Sequence, residues 1–190
     1  LVALTVFNAM DSVKPRHRGD LTIAQFAENY NFYCHVVNEY QDFPTGKKAM
    51  DADGTWHKED TEIGPNSVVI STSKGPSVDY VYGLEGERVR SISYTNEWTE
   101  IVYWTMPSHL AIACMTVMMS QKDLGFADAS RLLRELSEEL MNDEGEFSRD
   151  NIIIRWNIET VGCVGSGGTY LGQADPQNTS VKLHFEIIIQ

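Results

Sequence analysis

Two short stretches near the C-terminus carry charged and polar side chains at alternate positions. Arg155, Asn157 and Glu159 form one set, and Lys182, His184 and Glu186 form the other. Spacing of i, i+2, i+4 in an extended chain puts each set on one face of a strand. Side by side, they would make a polar sheet face carrying a guanidinium, an imidazole and carboxylates. Such a face suits a polar ligand, with Arg155, Glu159, His184 and Glu186 as candidate binding residues. Cross-strand ion pairing produces the same pattern with no ligand at all. The competing chemistry is a hydrolase whose site assembles from distant residues, with His184, Glu186 and Glu159 as acid–base groups, and it requires a deep pocket around them.

Other motifs are weaker. Val164-Gly-Ser-Gly-Gly-Thr169 has the glycines of a phosphate cradle, but the Lys-Ser/Thr pair of a P-loop is missing. The chain runs on through Asp175-Pro176 into an expected strand rather than a helix. A hairpin connection is the better reading. Asp51-Ala-Asp-Gly54 opens like a calcium loop and Glu62 falls at the twelfth position, yet the glycine is misplaced and Trp56 and Lys58 stand among the ligand positions. It reads as an Asp-Gly turn. His17, His35, His57, His109 and His184 are scattered without the i, i+4 spacing of a zinc helix, and no nucleophile elbow is present. No catalytic residue, metal ligand or cofactor is therefore expected. Cys34, Cys114 and Cys163 are too far apart for a zinc knuckle or redox motif, and buried thiols are expected in preference to a Cys34–Cys163 disulfide.

One basic cluster stands apart, with Lys14, Arg16, His17 and Arg18 following an apolar start, Leu1-Val-Ala-Leu-Thr-Val-Phe7. Against a bilayer such a cluster would meet anionic headgroups. Alternatively, it is a loop whose arginines meet the protein's own carboxylates. The chain starts with Leu1 rather than Met, so a segment before it is expected, and residues 1–20 read as a tether remnant or basic lead-in to a single domain over residues 21–190. A seven-residue run is too short to span a membrane, and it reads equally as the outer end of a truncated anchor or as a first strand or short helix of the fold.

The formal net charge of −12 over 190 residues argues against nucleic acid, whose binding depends on cations meeting phosphates. At 42% hydrophobic and 22% charged residues, the chain can bury one sizeable core. The acidic surface admits a third reading, an inhibitor- or immunity-type protein.

The elements that must position these residues are legible from periodicity. Thr22 and Gln25 form a capping box, and apolar residues from Ile23 through Phe26, Ala27, Tyr30, Tyr33, Cys34 and Val37 predict a helix to about Tyr40, with Asn29, Asn31, Asn38 and Glu39 facing away. Pro44 and Gly46 end it. Val68–Ile70, Val78–Tyr82 and Val89–Tyr94 predict a meander turned at Gly75-Pro76 and Leu84–Glu87, and Trp98–Trp104 alternates as a further strand. Leu110–Met119 predicts a helix buried on most sides, with Met106, Met115, Met118 and Met119 as core filler. Ala129, Leu132, Leu133, Leu136 and Leu140 mark an amphipathic helix closed by Gly145. Asn151–Val161 and Thr179–Ile189 predict two strands with Ile152, Ile154, Trp156, Ile158 and Val181, Leu183, Phe185, Ile187, Ile189 facing the core. The expected class is α+β, a mostly antiparallel sheet packed on about three helices in two layers.

The stretch Pro15-Arg-His-Arg-Gly-Asp-Leu-Thr-Ile-Ala-Gln-Phe-Ala-Glu-Asn-Tyr-Asn31, together with Asp51-Ala-Asp-Gly-Thr-Trp56, resembles segments of uncharacterised extracytoplasmic domains tethered to the membrane in Gram-positive bacteria. The resemblance covers about a third of the chain and implies a location and a mode of tethering, with no activity and no functional residues. On this basis the expected function is a non-enzymatic extracytoplasmic domain of a membrane-anchored protein. Its partner would be a small molecule, a peptide or an envelope protein, and its contact with the membrane would run only through the removed anchor.

Overall fold

The computed structural model describes residues 13–40, 56, 61–71, 79–98, 108–122, 124–140, 142–161 and 180–190. Helix α1 (Ile23–Tyr40) is followed by strands β1 (Thr61–Ile63), β2 (Ser67–Ser71), β3 (Asp79–Glu85) and β4 (Arg88–Trp98). Helices α2 (Ser108–Gln121) and α3 (Phe126–Glu139) come next, then β5 (Glu144–Arg149), β6 (Ile152–Val161) and β7 (Ser180–Ile189). The fold is α+β, with one antiparallel sheet and, among the described residues, three helices.

The sheet joins two meanders. Strand order is β1-β2-β3-β4-β7-β6-β5, so the last strand, β7, docks between β4 and β6 and closes the two halves together. β7 pairs with β4 from Ser91↔Ile188 to Trp98↔Val181, and with β6 from Ile152↔Ile189 to Val161↔Ser180. The three longest strands are therefore the centre of the sheet.

Alternation decides which face is buried. Ile152, Ile154, Trp156 and Ile158 on β6 and Leu183, Phe185, Ile187 and Ile189 on β7 are all buried, whereas Arg155, Asn157 and Glu159 between them are exposed. On β4 the phase is corrected once. Gly83 pairs with Ser91 and Leu84 with Val89, leaving Arg90 as the extra residue of a β-bulge, so Val89 and Ile92 both reach the core from positions three apart. Arg90 turns out to pair with Asp20 at 3.1 Å and Glu85 at 2.9 Å. Gly86 turns the β3–β4 hairpin with φ 62°, a left-handed conformation that glycine adopts without strain.

Residues of the helices and of the buried sheet face share one hydrophobic core. Thr22 caps α1 as its sequence requires: its hydroxyl accepts from the Gln25 amide at 3.3 Å, and the Gln25 side chain accepts from the Thr22 amide at 3.0 Å. α2 runs between α1 and α3, and every residue from Leu110 to Ser120 is buried, including the three methionines Met115, Met118 and Met119. A helix enclosed on all sides must satisfy its own polar groups, and Thr116 does so by donating to the Ile112 carbonyl at 2.8 Å. α3 buries Phe126, Ala129, Leu132, Leu133 and Leu136. Cys34 and Cys114 are both buried, and Cys163 lies outside the described residues.

Three expectations need correction. Gly145 does not close α3, which ends at Glu139 with Leu140 as its cap. It lies in edge strand β5 directly opposite Trp156, whose indole occupies the space a Cβ would take. The short strands β1 and β5 were not anticipated. Asn29 does not face away from the α1 stripe; it is fully buried. The Asp51–Gly54 turn, the glycine-rich connection, Leu1–Phe7 and the part of Trp98–Trp104 beyond Trp98 lie outside the described residues.

Candidate functional site

Register places the polar residues of the open sheet face in rows. Asn157, His184 and Thr95 align across β6, β7 and β4, and Arg155, Glu186 and Ser93 align beside them. Strands stand about 4.8 Å apart, and residues two apart on a strand about 7 Å apart, so these six side chains surround a patch of roughly 10 by 7 Å. Between them lies a shallow, open hollow of about 300 Å³, floored by the backbone of Tyr94, Trp156 and Phe185, whose side chains are buried on the opposite face. Its position follows from topology, at the seam where β7 joins the two meanders.

Three of the four candidate binding residues, Arg155, His184 and Glu186, line the hollow. Glu159 lies on the same face one step along β6, in register with Lys182, and is not part of the lining. Ser93, Thr95 and Asn157 complete the site. Asn157 was visible in the alternation, but Ser93 and Thr95 carry no sequence signal, because their place depends on the long-range pairing of β4 with β7.

The side chains are partly engaged and partly free. Arg155 donates from Nε to Glu146 at 2.8 Å, and this bond with the adjacent carboxylates raises the guanidinium pKa further, keeping it charged. Its terminal nitrogens make no hydrogen bond among the described residues. His184 holds Nδ1 3.0 Å from the Thr95 hydroxyl, which orients the ring, and its Nε2 makes no hydrogen bond among the described residues. The Asn157 and Glu186 side chains make no hydrogen bond among the described residues, and Glu186 acts on Arg155 through its charge. The site thus offers donors and acceptors held on strands that are each paired on both sides, in a setting open to water.

That openness bears on the hydrolase reading. General acid–base chemistry by His184, Glu186 and Glu159 calls for an enclosed pocket bringing them within hydrogen-bond reach, whereas the hollow is shallow and Glu159 stands outside it. Among the described residues no group of three or more His, Cys, Asp or Glu side chains is placed to hold a metal ion.

The basic cluster sits elsewhere, on a strap over residues 13–20 that crosses α1 and reaches the end of α2. Pro15 is buried and Val13 packs on the core. Asn29 fastens the strap: its Oδ1 accepts from the Arg16 and His17 amides, both at 3.1 Å, and its Nδ2 donates to the His17 carbonyl at 2.9 Å and to Ser120 Oγ at 3.0 Å. His17 meets Glu28 at 2.7 Å, and the Arg16 guanidinium lies 5.2 Å from the centre of the Phe32 ring. Lys14, Arg16 and Arg18 are exposed. Gly19 then bonds the Ser120 carbonyl at 2.8 Å, so the lead-in is stitched to the domain before α1 begins.

No family model, curated protein or solved structure matches the chain. No helix among the described residues is long and apolar enough to cross a membrane.

Proposed function

We propose that this is a non-enzymatic extracytoplasmic binding domain of a membrane-anchored protein, taking a ligand or partner on the open face of its sheet. The observation that carries the binding reading is the hollow at the β4–β7–β6 seam, where Arg155, Asn157, His184 and Glu186 converge on one patch with polar atoms that make no hydrogen bond among the described residues. Strands paired on both sides carry these groups, and such a framework lowers the ordering cost of association. A shallow site that stays wet favours binding over chemistry requiring water to be excluded. The tether rests on the resemblance of residues 15–31 and on the exposed cations Lys14, Arg16 and Arg18, which follow the apolar start of the chain.

Two measurements test this. A thermal-shift screen against metals, sugars, nucleotides and peptides is expected to find a class that raises Tm in the wild type and not in the double variant Arg155→Ala, Asn157→Ala, since a ligand of the native state stabilises it by mass action. Equal stabilisation of both proteins would move binding away from the hollow. For location, a membrane-impermeant amine label applied to intact cells expressing the full-length gene is expected to modify the domain, and protection until lysis would contradict the extracytoplasmic assignment.

A further inference from the structure

Resting on the binding role of the hollow, the geometry points to its ligand class: we infer that it takes a neutral, polyhydroxylated ligand, a saccharide. The argument runs from charge and from hydrogen-bond type. One guanidinium, Arg155, stands against two carboxylates, its partner Glu146 and its cross-strand neighbour Glu186, so the patch is anionic by one charge. A phosphate or carboxylate offers only acceptors; it would meet a cation already compensated by Glu146 and a second carboxylate beside it. An ammonium or guanidinium offers only donors; it would be drawn to Glu186 but would face the free terminal nitrogens of Arg155 across the same patch. A hydroxyl both donates and accepts.

The side chains match that dual demand. The Arg155 terminal nitrogens donate, Glu186 accepts, Asn157 does both, and His184 Nε2 does either according to its tautomer, since the Thr95 hydroxyl can accept from or donate to Nδ1. Guanidinium, carboxylate and carboxamide are planar groups with paired atoms, the shape that engages two neighbouring hydroxyls at once. The patch has the span of one or two sugar rings. An extended peptide is disfavoured by the backbone beneath: β4, β7 and β6 are each paired on both sides, so no strand edge is available for main-chain bonds to a ligand.

The test is saturation-transfer difference NMR on the intact protein, with a panel of neutral mono- and disaccharides, and with inorganic phosphate, dipeptides and a polyamine as charged arms. Neutral saccharides are expected to bind weakly, at about millimolar Kd, and Glu186→Gln and Asn157→Ala to weaken them each by about tenfold, with Tm unchanged. Because no net charge is neutralised, affinity should change less than about twofold between roughly 0.05 and 0.5 M salt. Binding of phosphate, dipeptide or polyamine that depends on these residues, with no saccharide binding, would overturn the ligand class and leave the hollow as a site. Absence of binding by every class, or binding indifferent to both variants, would overturn the hollow itself.

Discussion

Replacing Asn29 by alanine should loosen the strap from the domain while leaving the fold intact. Asn29 is fully buried and makes four hydrogen bonds, three to the strap backbone and one to Ser120. A net contribution of about 0.5–1.5 kcal/mol per bond brackets the loss between roughly 2 and 6 kcal/mol. The strap residues are partly exposed, so water can reach their freed backbone groups and the strap bonds fall at the low end of that range. Ser120 can turn to a carbonyl of its own helix, as Thr116 already does. The expected cost is about 3 kcal/mol, read as a lower urea midpoint with an unchanged slope. Hydrogen exchange should localise it, with the amides of Arg16, His17 and Gly19 losing protection and those of α3 keeping theirs. A loss under about 1 kcal/mol, or unchanged protection at Arg16 and His17, would refute the role given to this residue.

Tyr33 makes the opposite case: its hydroxyl is buried without a hydrogen-bond partner among the described residues, so Tyr33→Phe should be neutral or stabilising by about 1 kcal/mol, and clear destabilisation would reveal a bond to that oxygen. The same burial predicts an alkaline limit to stability. Tyr33 and Cys114 are both raised by desolvation above their ordinary values of 10.0 and 9.0, so the unfolded chain loses these protons first. Stability is then intact below about pH 9 and falls as pH climbs beyond it, and Tyr33→Phe should flatten the upper part of that fall. Gly145→Ala should cost about 1–3 kcal/mol and shift tryptophan fluorescence, because the new methyl displaces the Trp156 indole from its bond to the Asn142 carbonyl. Thr22→Ala should cost about 1 kcal/mol in a thermal melt through loss of the α1 cap.

What was legible in the sequence was what is encoded locally. The Thr22–Gln25 box, the apolar run of α2, the stripe of α3 and the alternation of β6 and β7 each reflect one element meeting one environment, and each stands where its pattern placed it. Strand β5 is hard to read in the sequence because it is an edge strand whose two inward positions, Gly145 and Phe147, are only half-buried, so a single apolar side chain marks its inner face. Gly145 then looked like a helix stop, since glycine serves turns and close approaches alike, and only the pairing with Trp156 distinguishes them. Asn29 reads as solvent-facing for a similar reason. A polar residue signals solvent unless a distant segment, here the strap, supplies its partners. The hollow was half visible, through Arg155, Asn157, His184 and Glu186, while Ser93 and Thr95 entered it only through the pairing of β4 with β7, strands separated by two helices and a hairpin.

The most direct test of the open face as the binding surface is an amide chemical-shift footprint with whichever compound stabilises the protein. The largest shifts are expected at residues 93–95, 155–157 and 184–186, with the strap and α3 unmoved. A footprint centred on residues 14–18 or on the helices, with those three strand segments silent, would contradict it.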